Sequence, residues 1–351
     1  MYRQEGSPSW DTQIGAPVLP LIQYRMKRTL GRSQIDVSAL GMGCWAIGGP
    51  VHAGGDQVGW GEVDDAESIR AVRAAIDAGV TFFDTADVYG AGHSESILGE
   101  ALGADTHEVV VATKFGNVFD EARKEITGND ASPEYIRTAC DASLRRLGRD
   151  CLDLLQFHIN DYDLERAPEV RDTLQQLVDA GKIRAFGWST DWPERAALFA
   201  EAPGCTSVQF QMNVLDDNPD LRTLCERENL AAINRGPLAM GLLTGKYDSA
   251  GVTDPADVRG PNSPDWMKYF VKGKPSQEFL DKVAAIREIL TSNGRSLVQG
   301  ALAWLWARSD RTIPIPGFKS VKQVQENAGA LQFGPLTAAQ VAEIDSLLGR
   351  G

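Results

Sequence analysis

SPEYIRTACDASLRRLGRDCLDLLQFH, residues 132–158, encodes a helix followed by a strand, and this unit decides the fold. Ser132 can cap the helix and Pro133 suits its first turn. The apolar run at 153–157 is short and does not alternate, which is typical of a parallel strand buried on both faces. The apolar positions of the helix recur on one face: Ile136, Ala139, Cys140, Leu144 and Leu147.

The same alternation of strand and helix runs through most of the chain. Short apolar runs predict further strands at 40–44, 80–84, 109–113, 183–188, 206–210, 230–233 and 312–315. Eight strands with intervening helices predict an α/β fold, the (β/α)8 TIM barrel. An open doubly wound sheet is the alternative. However, no G-x-G-x-x-G follows the first strand, as a dinucleotide-binding half of such a sheet requires.

Additional elements are predicted outside the eight units. KRTLGRSQIDV at 27–37 predicts an N-terminal β-hairpin, whereas the Gly-rich insertion at 49–63 shows no pattern. Extra helices and loops are predicted after strand 7 and at the C-terminus: a Pro- and Gly-rich loop at 244–275, helices at 277–291 and 296–308, and a last helix with the capping box Thr337 and Gln340.

The domain organisation follows from where the pattern begins. Residues 1–26 lack periodicity and carry Gly, Pro and polar residues, so we expect a disordered extension there. Residues 27–351 are then a single TIM-barrel domain, of a length that is normal for this fold. Because patterned sequence starts directly after Met26, we hypothesise that translation begins at Met26.

The composition restricts the class of protein. The formal net charge is −13, from 48 acidic and 35 basic residues, and such a chain repels nucleic acid and anionic membranes. We find no membrane span of about 18 apolar residues and no apolar signal-peptide core. Five scattered cysteines without a CxxC spacing argue against a disulfide framework or a metal site. We therefore expect a cytoplasmic protein with no metal, nucleic-acid or membrane partner.

Polar side chains follow three consecutive strands, at the end where a TIM barrel carries its active site. The second strand leads to Asp84 and Tyr89, the third to Lys114 and the fourth to His158. A free tyrosine has a pKa of about 10, and a nearby ammonium lowers it by favouring the phenolate. Lys114 can supply the ammonium and Asp84 can balance its charge, while His158 can hydrogen-bond a substrate oxygen. The set predicts a proton donor for carbonyl reduction, with the hydride supplied by a cofactor.

Six segments, in this order, resemble the aldo-keto reductases: FFDTADVYG at 82–90, VVVATKFG at 109–116, LDLLQFH at 152–158, GKIRAFGWS at 181–189, GPLAMGLLTGKY at 236–247 and IPIPGFKSVKQVQEN at 313–327. The resemblance implies reversible, NADPH-dependent reduction of an aldehyde or ketone to the alcohol. In this family NADPH (NADP+) is bound without a Rossmann fold. By the resemblance Tyr89 is the general acid, assisted by Lys114 and Asp84, and His158 orients the carbonyl of a small-molecule substrate.

The resemblance also implies where the cofactor binds. Ser189, Thr190 and Gln209 correspond to the positions that contact the nicotinamide end. The loop after the seventh strand is expected to cover the pyrophosphate through Pro237, Leu238, Met240, Gly241, Leu243 and Lys246. The last segment is expected to bind the 2′-phosphate and adenosine through Gly317, Phe318, Lys319, Ser320, Gln323 and Asn327.

Three positions depart from the family pattern. Thr190 replaces an Asn, and although its hydroxyl can still donate a hydrogen bond, its reach differs. Arg235 stands where relatives commonly place a ring under the nicotinamide. An Arg plane can stack there, or the guanidinium can pair with an acid instead. Gln323 replaces a basic residue that many relatives carry against the phosphate, which weakens the preference for NADP.

Side chains at strand ends and in adjoining loops predict the substrate pocket. An aromatic, weakly charged pocket suits small apolar or aromatic aldehydes and ketones, and sugars also stack on such faces. The candidate pocket residues are Trp45, Trp60, Val88, Phe115, Trp188 and Trp266.

Two other functions stay open from the sequence alone. One is a nucleotide-binding regulatory subunit with weak or no turnover, acting in a homo-oligomer or with a partner protein, as some relatives of this shape do. The other is a cofactor-free lyase or isomerase, which needs a phosphate or metal site of its own. The complete set of four polar residues favours the reductase.

Overall fold

The structure is a computed structural model that describes residues 26–103, 109–247 and 251–350. The predicted extension lies outside these residues, apart from Met26. The Met26 carbonyl oxygen accepts the Ala39 N–H at 2.8 Å, and its side chain packs against the core. The hypothesis about the translation start stays a prediction.

The described residues form short strands and regular helices. The strands are β1 Lys27–Thr29, β2 Asp36–Ser38, β3 Met42–Gly43, β4 His52–Ala53, β5 Asp56–Gln57, β6 Phe82–Asp84, β7 Val110–Phe115, β8 Asn117–Asp120, β9 Glu125–Asn129, β10 Leu152–Phe157, β11 Ile183–Ser189, β12 Cys205–Gln211, β13 Ala231–Arg235, β14 Phe270–Val271, β15 Lys274–Pro275 and β16 Thr312–Pro314. The α-helices are α1 Asp65–Asp77, α2 His93–Leu102, α3 Pro133–Leu147, α4 Ala167–Asp179, α5 Pro193–Ala200, α6 Pro219–Glu228, α7 Gln277–Leu290, α8 Leu297–Arg308, α9 Val321–Gly329 and α10 Ala338–Leu347. Single turns of 3-10 helix include Gly31–Ser33 and Ala239–Thr244.

Eight of these strands form one parallel sheet, in the order β3-β6-β7-β10-β11-β12-β13-β16. The sheet closes on itself, because the N–H groups of Gly41 and Gly43 donate to the carbonyls of Pro314 and Pro316, each at 3.0 Å. Helices follow the strands, so the predicted (β/α)8 TIM barrel is confirmed. The extra helices after the seventh barrel strand and at the C-terminus are present as predicted.

The hydrophobic core has two layers, because successive side chains of a strand point to opposite faces of the sheet. The outer layer fills the space between barrel and helices and includes the apolar stripe predicted on α3. The inner cluster lies within the barrel and consists of Leu30, Ile35, Val37, Phe82, Val110, Ala112, Leu154, Ala185, Ala231, Ile233, Ile313 and Ile315.

The predicted N-terminal hairpin, β1 paired antiparallel with β2, closes the amino end of the barrel. Leu30 and Ile35 between its strands belong to the inner cluster. Gly31 has a φ of +54°, and a Cβ built on it would lie 2.2 Å from the Thr206 carbonyl oxygen near the start of β12. Only glycine fits this approach. The carboxyl end of the barrel is therefore left for the functional site.

The insertion at 49–63 has more structure than its composition predicted. It contains the hairpin of β4 and β5, whose turn residues Gly54 and Gly55 have φ values of +57° and +90°. Strands of two residues are too short for an alternating pattern to be visible. β4 also pairs with β9, giving a small sheet of order β5-β4-β9-β8 that was missed in the sequence.

Three further observations bear on the expectations from composition. The five cysteines are free thiols. Among the described residues, no cluster of three His, Cys, Asp or Glu side chains could hold a metal ion. None of the helices in the described ranges has both the length and the apolar character to span a bilayer.

Leu30→Ala should lower the free energy of unfolding by about 2–5 kcal/mol, because it opens a cavity beside a side chain that is fully buried in the inner cluster. Urea unfolding followed by circular dichroism measures the loss. Leu347→Ala is the matched control, since that side chain is 50% exposed on α10, and we expect a change of about 0.5 kcal/mol or less. Equal losses would mean that the hairpin does not seal the barrel.

Candidate active site

The four polar residues predicted from the sequence meet at the carboxyl end of the barrel. The Lys114 ammonium is at the centre: its Nζ donates to Asp84 Oδ1 at 2.5 Å and to the Thr85 carbonyl oxygen at 2.7 Å. The same Nζ lies 3.2 Å from the Tyr89 hydroxyl. The ring of His158 makes an edge contact with the Tyr89 ring at 5.7 Å between centroids. A phenol, an ammonium, a carboxylate and an imidazole thus form one contiguous group.

The Asp84 carboxylate is held from its other side by two amides. Gln156 Nε2 donates to Asp84 Oδ2 at 3.0 Å, and Gln209 Nε2 donates to the same oxygen at 2.7 Å. Gln209 is therefore fixed to the carboxylate through its amide nitrogen. Gln156 was not singled out in the sequence. Alternation along the strand indicates it, because residues two apart point to the same face. Gln156 is two residues before His158 and pairs with Lys114 across β10 and β7.

Burial controls the protonation states in this group. Burial disfavours the charge of Lys114, but Asp84 and Tyr89 outweigh it, and the pKa of the ammonium is raised. Burial raises the pKa of the Tyr89 phenol above its usual value, although Lys114 opposes the change. The ammonium lowers this pKa as expected, but burial is the larger effect and sets the net direction. Burial also lowers the pKa of His158, helped by the positive charges of Lys114 and Arg235. At neutral pH Tyr89 is therefore protonated and His158 is neutral.

An aromatic wall stands beside Tyr89. The Trp45 ring is stacked on Tyr89 with centroids 6.0 Å apart, and it contacts Trp60 edge-on at 5.2 Å. Trp266, from the long loop after the seventh barrel strand, lies 6.5 Å from Trp45 and is 56% exposed. Val88 is buried next to Tyr89 in sequence. The insertion at 49–63 and the long loop therefore both reach this wall.

Two predicted pocket residues lie elsewhere. Trp188 is fully buried, donates its indole N–H to the Ile159 carbonyl oxygen at 2.9 Å, and packs on Phe199 of α5. Phe115 is also fully buried and is stacked on Phe157. Both belong to the layer between barrel and helices. The reason is alternation along the strand, since the residue after an inward Lys114 must point outward.

The fifth and seventh barrel strands bring further predicted residues to this end. Ser189, the last residue of β11, is buried. The Thr190 hydroxyl donates to the Asn160 carbonyl oxygen at 2.7 Å. Arg235, at the end of β13, forms an ion pair with Asp191. Of the two alternatives for Arg235, pairing with an acid is the one observed, and Asp191 was not singled out in the sequence.

The loop after β13 continues the same face. Ala239, Met240 and Gly241 all have positive φ, and a Cβ on Gly241 would lie 3.0 Å from Arg259 Nη1. Pro237 precedes this turn, whereas Leu238 and Leu243 are buried beneath it. The Lys246 ammonium is exposed above the Tyr247 ring, with 5.5 Å to the centroid.

The segment after β16 leads into α9. Ser320 caps α9, and its hydroxyl accepts the Gln323 N–H at 3.4 Å. Gln323 Oε1 accepts the Lys319 N–H at 2.6 Å, and Lys319 Nζ donates to the Trp60 carbonyl oxygen at 2.5 Å. Asn327 supports the loop from below by donating to the Gly317 carbonyl at 3.4 Å, and Phe318 is buried. Lys319 and Ser320 directly precede α9, and the Lys319 ammonium extends to the insertion at 49–63. The role of this segment in binding a phosphate stays a prediction.

The site can be compared with known proteins. The model of the Aldo/keto reductase family matches residues 39–348. This chain belongs to that family. The reductase is 32% identical over 317 residues to "Aldo-keto reductase yakc [NADP(+)]" of Schizosaccharomyces pombe, which covers 88% of this chain and 87% of the relative. It is accordingly an oxidoreductase, as its sequence motifs indicate.

Solved structures agree with this assignment. The reductase resembles the glycerol dehydrogenase AKR11B4 from Gluconobacter oxydans, with a TM-score of 0.77, 30% identity and coverage of 93% and 96% of the two chains. It also resembles an aldo-keto reductase from Klebsiella pneumoniae in complex with NADPH, with a TM-score of 0.66, 25% identity and the same coverage. The family supports the reduction of a carbonyl in general terms.

Asp84→Asn should destabilise the reductase by about 3–5 kcal/mol, because it leaves the fully buried Lys114 ammonium without a countercharge. Adding Lys114→Met should restore much of the loss, since the double variant buries no charge. Urea denaturation gives the free energies of unfolding of Asp84→Asn, Lys114→Met and the double variant. Together with the wild type they form a double-mutant cycle. Additive losses in the double variant would contradict the coupling.

Proposed function

We propose that this reductase uses NADPH to reduce small apolar or aromatic aldehydes and ketones to alcohols, and that the reaction is reversible. The observation that carries the proposal is the 3.2 Å contact between Lys114 Nζ and the Tyr89 hydroxyl, in a buried group next to an aromatic wall. The NADP(+) in the name of the fission-yeast relative and the NADPH bound to the Klebsiella enzyme support the choice of cofactor.

Tyr89 is the proton donor in this mechanism. Bound NADPH would supply the hydride, that is two electrons and a proton, that the carbonyl carbon needs. As the carbonyl oxygen gains negative charge, Tyr89 transfers its hydroxyl proton to that oxygen. The phenolate that forms lies next to the Lys114 ammonium, which stabilises it electrostatically. Asp84 keeps Lys114 charged and in position, and the two amides on Asp84 keep the carboxylate from rotating.

His158 orients the substrate. Its backbone N–H donates to the Phe115 carbonyl oxygen at 2.9 Å, which fixes the main chain directly after β10. The residue is half-buried, and its buried Nδ1 atom has no partner among the described residues. A neutral imidazole next to Tyr89 can donate one hydrogen bond to a carbonyl oxygen without adding a charge to the site.

The open end of the barrel fits the proposed cofactor. Ser189 and Arg235 would line the nicotinamide end, and the turn at 237–246 would border the pyrophosphate. A Cβ on Gly317 would meet nothing closer than the Gly43 carbonyl oxygen at 3.9 Å, so there is space beside this loop. Lys319, Ser320 and the N-terminus of α9 offer a cation, a hydroxyl and backbone N–H groups to the 2′-phosphate.

The wall next to Tyr89 indicates the substrate class. Trp45, Trp60 and Trp266 present flat apolar faces near the proposed proton donor. The guanidinium groups near these rings are already paired: Arg259, 4.7 Å from the centre of the Trp60 ring, with Asp257, and Arg235 with Asp191. A planar or apolar substituent on the carbonyl carbon gains contact with these rings, whereas an anionic substituent finds no free countercharge.

Tyr89→Phe should reduce kcat for an aromatic aldehyde by about 100-fold to 10,000-fold, because the general acid is removed while its ring remains. Oxidation of NADPH followed at 340 nm measures the rate, and quenching of tryptophan fluorescence checks that NADPH still binds. Tyr162→Phe is the matched control, since that ring packs on Phe157 in the outer layer. Near-normal turnover in Tyr89→Phe would remove this mechanism.

Lys319→Ala should weaken NADPH binding on the order of tenfold and leave NADH binding nearly unchanged, because only NADPH carries the 2′-phosphate. Lys246→Ala provides the contrast, since the pyrophosphate is common to both cofactors and both should lose affinity to the same degree. Calorimetric titration of the wild type and both variants with each cofactor gives the six dissociation constants. Equal losses of NADPH and NADH in Lys319→Ala would show that the phosphate assignment is wrong.

A further inference from the structure

An acidic side chain occupies the N-terminus of α9. Glu67, the third residue of α1, reaches across to the neighbouring helix and accepts the Val321 N–H at 2.9 Å. Val321 is the first residue of α9 and directly follows Lys319 and Ser320. We infer that Glu67 determines how strongly the reductase discriminates between NADPH and NADH, by placing a carboxylate where the 2′-phosphate binds. This inference rests on the proposed function, which assigns the 2′-phosphate to Lys319 and Ser320.

The donors around this point already have internal acceptors. The Lys319 N–H is used by Gln323, and the Lys319 ammonium by the Trp60 carbonyl oxygen. The Val321 N–H is used by Glu67. The exposed N–H groups and the dipole at a helix N-terminus favour a negative group. Glu67 therefore takes the place that an anion from the cofactor would otherwise take.

Glu67 carries its negative charge at neutral pH. The Val321 N–H lowers the pKa of the Glu67 carboxyl, and the Arg70 guanidinium lowers it further. Arg70, one turn along α1, donates to Glu67 Oε2 through Nη2 at 2.7 Å and Nε at 3.1 Å. The Arg70 side chain is 59% exposed, so it is free to turn toward a new anion if Glu67 releases it.

The two cofactors meet this carboxylate differently. A phosphate monoester carries a charge of about −1.5 to −2 at pH 7, so the 2′-phosphate of NADPH repels Glu67 and competes with it for the Val321 N–H. NADH carries a 2′-hydroxyl at the same position, and a carboxylate can accept a hydrogen bond from it. Lys319 favours NADPH while Glu67 opposes it. The affinity for NADPH therefore exceeds that for NADH by a smaller factor than Lys319 alone would give.

The test is Glu67→Gln, which keeps the side-chain length and an oxygen acceptor for Val321 but removes the charge. Calorimetric titration with NADPH and with NADH, on wild type and variant, gives the ratio of the two dissociation constants without reference to turnover. We expect NADPH to bind on the order of tenfold more tightly in the variant, and NADH to bind equally well or slightly more weakly. The gain should shrink at 0.5 M KCl, because salt screens the repulsion between exposed charges.

Glu134→Gln is the matched control. Glu134 lies in the first turn of α3, so its substitution removes one charge from another helix N-terminus, and the ratio should not change. If Glu67→Gln leaves the ratio unchanged, or changes both cofactors equally, the inference is wrong. The Lys319→Ala variant separates the proposed phosphate site from the inferred role of Glu67. A selective loss of NADPH there, with no effect of Glu67→Gln, keeps the phosphate site and removes only the role of Glu67. No selective loss there removes both.

Discussion

The active site depends on one buried charge, the ammonium of Lys114. A lysine that is fully removed from water must find a countercharge and hydrogen-bond acceptors, since an unpaired buried ion is strongly destabilising. Asp84 and the Thr85 carbonyl meet that need, and Gln156 and Gln209 in turn satisfy the carboxylate. The cost of burying the ion thus fixes the positions of its partners. Tyr89 lies in the field of a charge that cannot move away.

The barrel makes this arrangement available. Closure between β3 and β16 brings the carboxyl ends of all eight strands to one rim, while the N-terminal hairpin fills the opposite end with apolar side chains. The amino end of the barrel therefore serves stability, and the carboxyl end carries the reactive side chains. The insertion at 49–63 and the long loop after β13 extend the rim with indole rings next to Trp45.

The proposed 2′-phosphate site indicates how an acidic chain would bind an anion. The overall charge of −13 opposes a phosphate, so binding depends on local donors after β16. Lys319 provides a cation there, yet Glu67 from α1 places a carboxylate at the same helix N-terminus. Two opposing charges at one subsite allow the preference between cofactors to be tuned without changing the reacting group, because the adenosine end lies far along the cofactor from the nicotinamide.

The amino-acid sequence determined the fold class, the eight strands and the group of Tyr89 with Asp84, Lys114 and His158, because apolar periodicity and strand-end position are local properties of the chain. It did not place Phe115 and Trp188 correctly, since their outward direction depends on the register of Lys114 inside the barrel. The pairing of Arg235 with Asp191 and the reach of Glu67 to Val321 were also decided by the tertiary structure. Each joins residues far apart in the chain, and only closing the barrel and packing α1 against α9 bring them within hydrogen-bonding distance.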